Sequence, residues 1–236
     1  MRLHNHMNGS VFTFAVAGML SFAPMPGADA ADNSLDSVFS RLDKAAAGFK
    51  TLTAEMKRTQ HTELVNANEV DEGTISVKRF KPDDVRILIN FTKPEPKKVA
   101  IGGGKGQVYY PKANEVQIVD MKKHRDLVNE VLLLGFGATS AELKSAYTIT
   151  MGGPDTVNGT AVTRIELIPR SEEIRHTIKK CELWIPENGI PLQQKFHEAA
   201  GDYQIATYSH VVLNPPMPDS AVRLDPPKGA KITPIK

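Results

Sequence analysis

Glu72-Gly73-Thr74-Ile75-Ser76-Val77-Lys78-Arg79 alternates like a strand and then ends in a charge where an apolar residue belongs. Side chains in a strand switch faces with a period of two. Ile75, Val77 and Arg79 therefore share one face, and Thr74, Ser76 and Lys78 share the other. The second set is solvated. The first is a buried face that closes on a guanidinium, a group that stays charged in proteins. Two readings are open. Either the strand stops at Lys78 and Arg79 snorkels at its rim, or an arginine stands at the edge of an apolar cavity, available to a partner that is present only part of the time.

Outward from this stretch the chain is mostly strand. Before it, Leu35, Val38, Phe39, Leu42, Ala45 and Ala46 fall at helical spacing after Ser34, and Gly48 stops the pattern. Asp36 in the first turn suits the helix dipole. Residues 49–65 then read as a long strand and 66–71 as a turn. After 73–79 come strands at 85–90, 97–101, 107–110 and 115–120, divided by Lys81-Pro82-Asp83-Asp84, Pro94-Glu95-Pro96 and Gly102-Gly103-Gly104. The glycine run is a hairpin turn. A phosphate loop needs Gly-Lys followed by Ser or Thr and a helix, and here Gly106 and another strand follow Lys105.

The pattern changes at Asp126. Leu127, Val128, Val131, Leu132, Leu133, Leu134 and Phe136 form the most apolar stretch after residue 30, ended by Gly135 and Gly137. Three consecutive leucines cannot share one helical face. Such a helix is either buried on several sides or covers an opening that something apolar fills. Thr139 with Glu142 predicts a capping box and a short helix through Ala146. Strands return at 147–151, 161–168, 178–185, 191–197 and 203–213, with hairpin signals at Asn158-Gly159 and Asn188-Gly189. Asn214-Pro-Pro-Met-Pro218 is a linker, 221–224 a last short strand, and the tail coil.

The count is about eleven strands, with one helix before them and one or two in the middle; a sheet of that length tends to curl or split. This predicts a mainly β (α+β) fold: a single strongly curved antiparallel sheet with helices on its concave face.

Composition excludes several classes. The 236 residues are 41% hydrophobic and 24% charged, ordinary for a globular protein. A formal charge of +2, without a basic patch interleaved with aromatics, gives no case for nucleic acid. His61, His124, His176, His197 and His210 are scattered without metal-ligand spacing. There is no Gly-x-Ser-x-Gly elbow, no His-Glu-x-x-His and no Cys-x-x-Cys. Glu172-Glu173 near His176 reads as a charged connection. No enzyme, metal or cofactor is expected. Cys181, the single cysteine, shares parity with Leu183 and Ile185 and is expected to pack in a strand.

Residues 1–30 read as a cleaved signal peptide. Arg2 and two histidines precede an apolar run over 11–23, and Ala28-Asp29-Ala30 is a small-x-small cleavage pattern. The run is shorter than the about 20 apolar residues of a spanning helix; an uncleaved anchor is the alternative. Cleavage predicts a soluble monomer from about Ala31, with no cysteine there to carry lipid.

Two blocks carry a family resemblance. Glu72-Gly73, Val77-Lys78-Arg79 and the alternating Val85-Arg86-Ile87-Leu88-Ile89 resemble the LolA family of periplasmic lipoprotein carriers. Gly104-Lys105, Val108-Tyr109-Tyr110-Pro111 and Glu115-Val116-Gln117 are similar to that family's Gly-Lys, aromatic, Pro and Gln succession. Phe80 stands where the family has proline, and Val85 and Ile87 where it tends to have aromatics. The resemblance implies an unclosed β-barrel with a helical lid over 31–236, in the periplasm. Its cargo would be acyl chains of lipoproteins or a related lipid, taken from an inner-membrane donor complex to an outer-membrane acceptor. It also implies that Arg79 locks the lid in the empty state through backbone carbonyls, expected around 134–137. Ile75, Val77, Val85, Ile87 and Ile89 would line the cavity, with Leu132, Leu133, Leu134 and Phe136 on the lid. A lipid- or lipoprotein-binding sensor or regulatory module of the same fold is the alternative, against which stands the short stretch after residue 213. A hydrolase with an unrecognised site is a third, for which no turnover is expected.

Overall fold

The computed structural model describes residues 34–81, 84–121, 134 and 136–235. Helix α1, Leu35–Gly48, starts where the Ser34 side chain accepts the Ser37 amide at 3.2 Å, and Asp36 lies in its first turn. Its stripe of Val38, Phe39, Leu42 and Ala46 is buried.

Twelve strands form one sheet. They are β1 Thr51–Thr62, β2 Ala67–Lys81, β3 Asp84–Lys93, β4 Lys97–Gly102, β5 Lys105–Tyr110, β6 Glu115–Asp120, β7 Tyr147–Val157, β8 Thr160–Pro169, β9 Ile178–Ile185, β10 Gln193–Glu198, β11 Tyr203–Leu213 and β12 Lys231–Ile235. Helix α2, Ser140–Ala146, precedes β7, and a single turn, α3 Glu172–Arg175, joins β8 to β9. The order β12-β6-β5-β4-β3-β2-β1-β11-β10-β9-β8-β7 describes two meanders joined where β1 pairs with β11. The sheet is curved, unclosed and mostly antiparallel.

Local chemistry explains the agreements. Asn158 and Gly159 both take positive φ, 50° and 78°, between the paired Val157 and Thr160, which is what a two-residue primed turn requires. The Thr139–Glu142 capping box is present at the start of α2. Cys181 is fully buried on β9, and burial pushes its thiol up to about 12.

Four expectations are corrected. Residues 66–71 do not turn the chain: β2 begins at Ala67, and the turn is a 3-10 helix, Glu63–Val65, closed by Asn66 at φ 46°. The tail is not coil, because β12 lies parallel on β6 and makes the sheet less than purely antiparallel. Pro234 is tolerated there because the strand is at an edge. Residues 221–224 are not strand; the 3-10 turn Asp219–Val222 covers them in part, and Leu224 is buried against Ala100 and Val116, which anchors the tail. The charged connection at 172–175 is the short helix α3, capped when Ser171 accepts the Ile174 amide.

Two clusters make up most of the core among the described residues. Val38 and Leu42 of α1 pack with Ile165, Leu167, Cys181, Leu183 and Ile185. Phe49, Leu52, Ile75, Val77, Ile87 and Phe91 gather with Phe136 and Tyr208.

On the opposite face of β8–β10, the Glu182 carboxylate meets His197 at 2.6 Å, Arg164 at 2.8 Å and Lys180 at 3.4 Å. Burial raises its pKa, but the hydrogen bonds and charges of His197 and Lys180 together outweigh this and hold it below the usual value. A depressed carboxylate stabilises the fold above its unfolded pKa and loses that contribution as pH falls through the folded one. Glu182→Gln is therefore expected to cost about 1–2 kcal/mol at neutral pH. The gap to wild type should narrow as pH drops below about 4. Urea unfolding at the two pH values checks this; an unchanged gap would mean that the charge contributes nothing.

Candidate functional site

The inner face of the sheet is built in rows. Leu52, Val77, Ile87 and Ile101 pair across β1 to β4; Ala54, Ile75, Ile89 and Val99 form the next row. Met56, Gly73, Phe91 and Lys97 follow, and then Arg58 opposite Asp71. From the other arm, Tyr208 faces Met56, and Gln194 faces Ala206. Between the arms lies a cavity of about 270 Å³. Ile75, Ile87 and Ile89 wall it on one side and Ile178, Phe196 and Tyr208 on the other, so this face is the inside of the curve.

Phe136 covers the cavity, edge-on to Tyr208 with ring centroids 5.1 Å apart. The backbone around it is held from both arms. The Gln194 amide donates to the Leu134 carbonyl, and the Tyr208 hydroxyl donates to Gln194 Oε1 at 3.3 Å. From β2, Arg79 Nη2 donates to the Gly137 carbonyl and Nη1 to the Ala46 carbonyl at 3.3 Å, with the guanidinium 5.3 Å from the Phe49 ring centroid. Gly137 has φ +85°, and a Cβ there would collide with Arg79 Nη2. Glycine is required for both reasons. Ser140 then donates its amide and hydroxyl to Asp43 of α1, each at 2.7 Å.

The arrangement is not fully satisfied. Arg79 Nε is buried and finds no acceptor among the described residues. An unpaired buried donor costs about 1–3 kcal/mol, so part of the favourable bonding of this guanidinium is offset where it sits.

Of the residues expected at a cavity, Ile75, Ile87, Ile89 and Phe136 line it. Val77, in the same row as Ile87, is fully buried in the cluster behind the cavity, and Val85 packs against that cluster from Arg79's own row. Leu134 is buried with the α1 stripe. Leu132 and Leu133 lie outside the described residues. Gln194, Tyr208, Phe91 and Arg58 were missed. A signal existed for Phe91, which continues the parity of Ile87 and Ile89. Gln194 and Tyr208 act through contacts that no local pattern announces.

Among the described residues no group of His, Cys, Asp and Glu could hold a metal ion, and no helix is long and apolar enough to cross a membrane. No protein-family model matches the chain, and no curated protein sequence does. Solved structures do match. An uncharacterized conserved protein from Thermus thermophilus aligns at a TM-score of 0.51 and 12% identity, over 85% of this chain and 98% of that one. A putative outer membrane lipoprotein-sorting protein domain from Vibrio parahaemolyticus aligns at 0.44 and 13%, over 80% and 96%. A LolA superfamily protein from Nitrosomonas europaea aligns at 0.38 and 12%, over 80% and 97%. At such identities the likeness is one of fold.

Proposed function

We infer the role of this chain from its curved, unclosed sheet, with helices against it, whose inner face lines an apolar cavity. We propose that the chain is a periplasmic carrier that shields acyl chains of lipoproteins or a related lipid in this cavity between inner and outer membrane. Residues 1–30 would be removed on export, leaving 31–236 as the carrier. The observation that carries the reading is the cover. Phe136 covers part of an apolar space, and the backbone beside it is tied to the sheet by Arg79 and Gln194 through main-chain carbonyls.

Each buried methylene contributes ~0.8 kcal/mol, so shielding a long chain is worth on the order of 10 kcal/mol. A cavity of about 270 Å³ lies below the ~300–1,000 Å³ of ordinary ligand pockets. A large cargo therefore requires the cover to move, and closing it again would favour release. Chemistry on the cargo forms no part of the reading.

Mass spectrometry of lipid co-purified from native periplasm, with N-terminal sequencing of the same sample, tests the proposal. Bound acyl lipid on a chain starting near Ala31 is expected. A lipid-free, membrane-associated chain starting at Met1 would overturn it. Lipid that binds but never passes to acceptor membranes would favour the sensor reading, and turnover of ester or amide substrates the hydrolase.

A further inference from the structure

The two ends of the cavity face differ in charge. Arg79 stands at one end, under the cover. At the other, past Val77, Ile75 and Gly73 along β2, lie Asp71 and its neighbours. Arg58, which lines the cavity, donates to Asp71 Oδ2 through Nε at 3.1 Å and through Nη2. Lys97 Nζ is 2.9 Å from the other oxygen of the same carboxylate. The Asp71 side chain is only 3% exposed. Both cations lie close to the ring of Phe91, at 4.8 Å and 5.3 Å from its centroid.

Two cations thus share one carboxylate, Arg58 in the cavity wall and Lys97 beside the ring of the wall residue Phe91. The ring of Phe91 offsets part of the excess, and the Arg58 and Lys97 side chains are 23% and 17% exposed. Nearby acids do not cancel it. Glu69, next outward on this face of β2, is exposed. Glu198 lies two strands across and two rows farther out, where it accepts the Gln204 amide at 3.1 Å. An excess charge at an apolar rim is less well solvated than one in open water and favours an anionic partner.

We propose that the cargo is a single-chain amphiphile with an anionic end group of the fatty-acid type, its carboxylate on Arg58 and Lys97 and its chain along Phe91, Ile89, Ile75 and Ile87 toward Phe136. The proposal rests on the carrier reading and narrows it. Size agrees: at about 270 Å³ the cavity lies below the ~300–1,000 Å³ of ordinary ligand pockets, which suits one chain rather than several. Longer chains reach Phe136 and displace the cover.

Titration calorimetry with decanoate, decanol and acetate separates head from tail. Wild type should bind decanoate at least tenfold more tightly than decanol and acetate not measurably. Lys97→Met leaves the Arg58–Asp71 pair intact and removes the excess charge. It should weaken decanoate about tenfold and leave decanol within twofold. Arg58→Met should do the same, and Lys97→Met serves if the loss of Asp71's partner unfolds that variant. Equal binding of decanoate and decanol by wild type, or equal loss of both in Lys97→Met, would overturn the anionic end group. Acetate binding as tightly as decanoate would show a bare anion site instead. Failure of both ten-carbon ligands would overturn the single-chain cargo, while the carrier reading itself stands or falls with the co-purified lipid.

Discussion

Arg79→Leu is expected to capture acyl cargo at least as tightly as wild type and to pass it to acceptor membranes at least tenfold more slowly. In the closed form the guanidinium donates to the Gly137 and Ala46 carbonyls. Hydrogen bonds from a charged donor contribute about 1.5–3 kcal/mol net. The orphaned Nε takes something from that sum. What remains favours the closed form over the loaded one and so opposes cargo. Removing it shifts the balance toward loading by about the same amount, and 1.4 kcal/mol is about a factor of ten. Leucine also adds apolar surface beside Val77. Release slows because nothing re-forms when cargo leaves. Transfer from loaded protein to vesicles, compared for the two forms, reads this directly. Gly137→Ala supplies the control, since its Cβ would occupy the place of Arg79 Nη2. It should shift transfer in the same direction, and the double variant should add little, as expected when two changes break one interaction. Equal transfer rates, or a leucine variant that does not bind, would make Arg79 a rim residue with no part in release.

The strand alternation that singled out Arg79 was legible because it is local: parity, hairpin dipeptides and a capping box all act within a few residues. The same logic misled at 66–71, where Asn and Asp suggested a turn. There Asp71 is a buried ion-pair partner on the cavity face, and a residue with turn propensity sits in a strand because Arg58 and Lys97 hold it. Strand β12 was illegible for a different reason. Its five residues gain their order from the edge of β6, a partner more than a hundred residues earlier. The cavity was half legible. Aliphatic parity pointed to Ile75, Ile87 and Ile89, but the opposite wall comes from β9, β10 and β11, whose approach depends on the β1–β11 pairing. Gln194 shows the limit most sharply: its role is a bond to a main-chain carbonyl sixty positions away, and side-chain type carries no trace of that.

Phe136→Ala separates a cover from a core. Phe136 is 2% exposed and packs in the cluster with Leu52, Val77 and Tyr208. An ordinary core phenylalanine truncated to alanine costs about 3–5 kcal/mol. A residue in a segment that opens while the sheet stays folded behaves otherwise. Its closed state can lose only the free energy that separates closed from open, a few kcal/mol for a minor state of ordinary population; beyond that the segment simply stays open. Global unfolding of Phe136→Ala is therefore expected to fall by only about 1–2 kcal/mol. Cargo affinity should rise several-fold, because the open, binding-competent form is no longer a small fraction. Hydrogen exchange should show the amides of 136–143 losing protection while β8 and β9, around Leu167 and Leu183, keep theirs. Urea unfolding, cargo titration and exchange on the same preparation give the answer together. The full loss of about 3–5 kcal/mol with unchanged affinity would place Phe136 in the permanent core, and the apolar space beneath it would then be a packing defect with no occupant to admit.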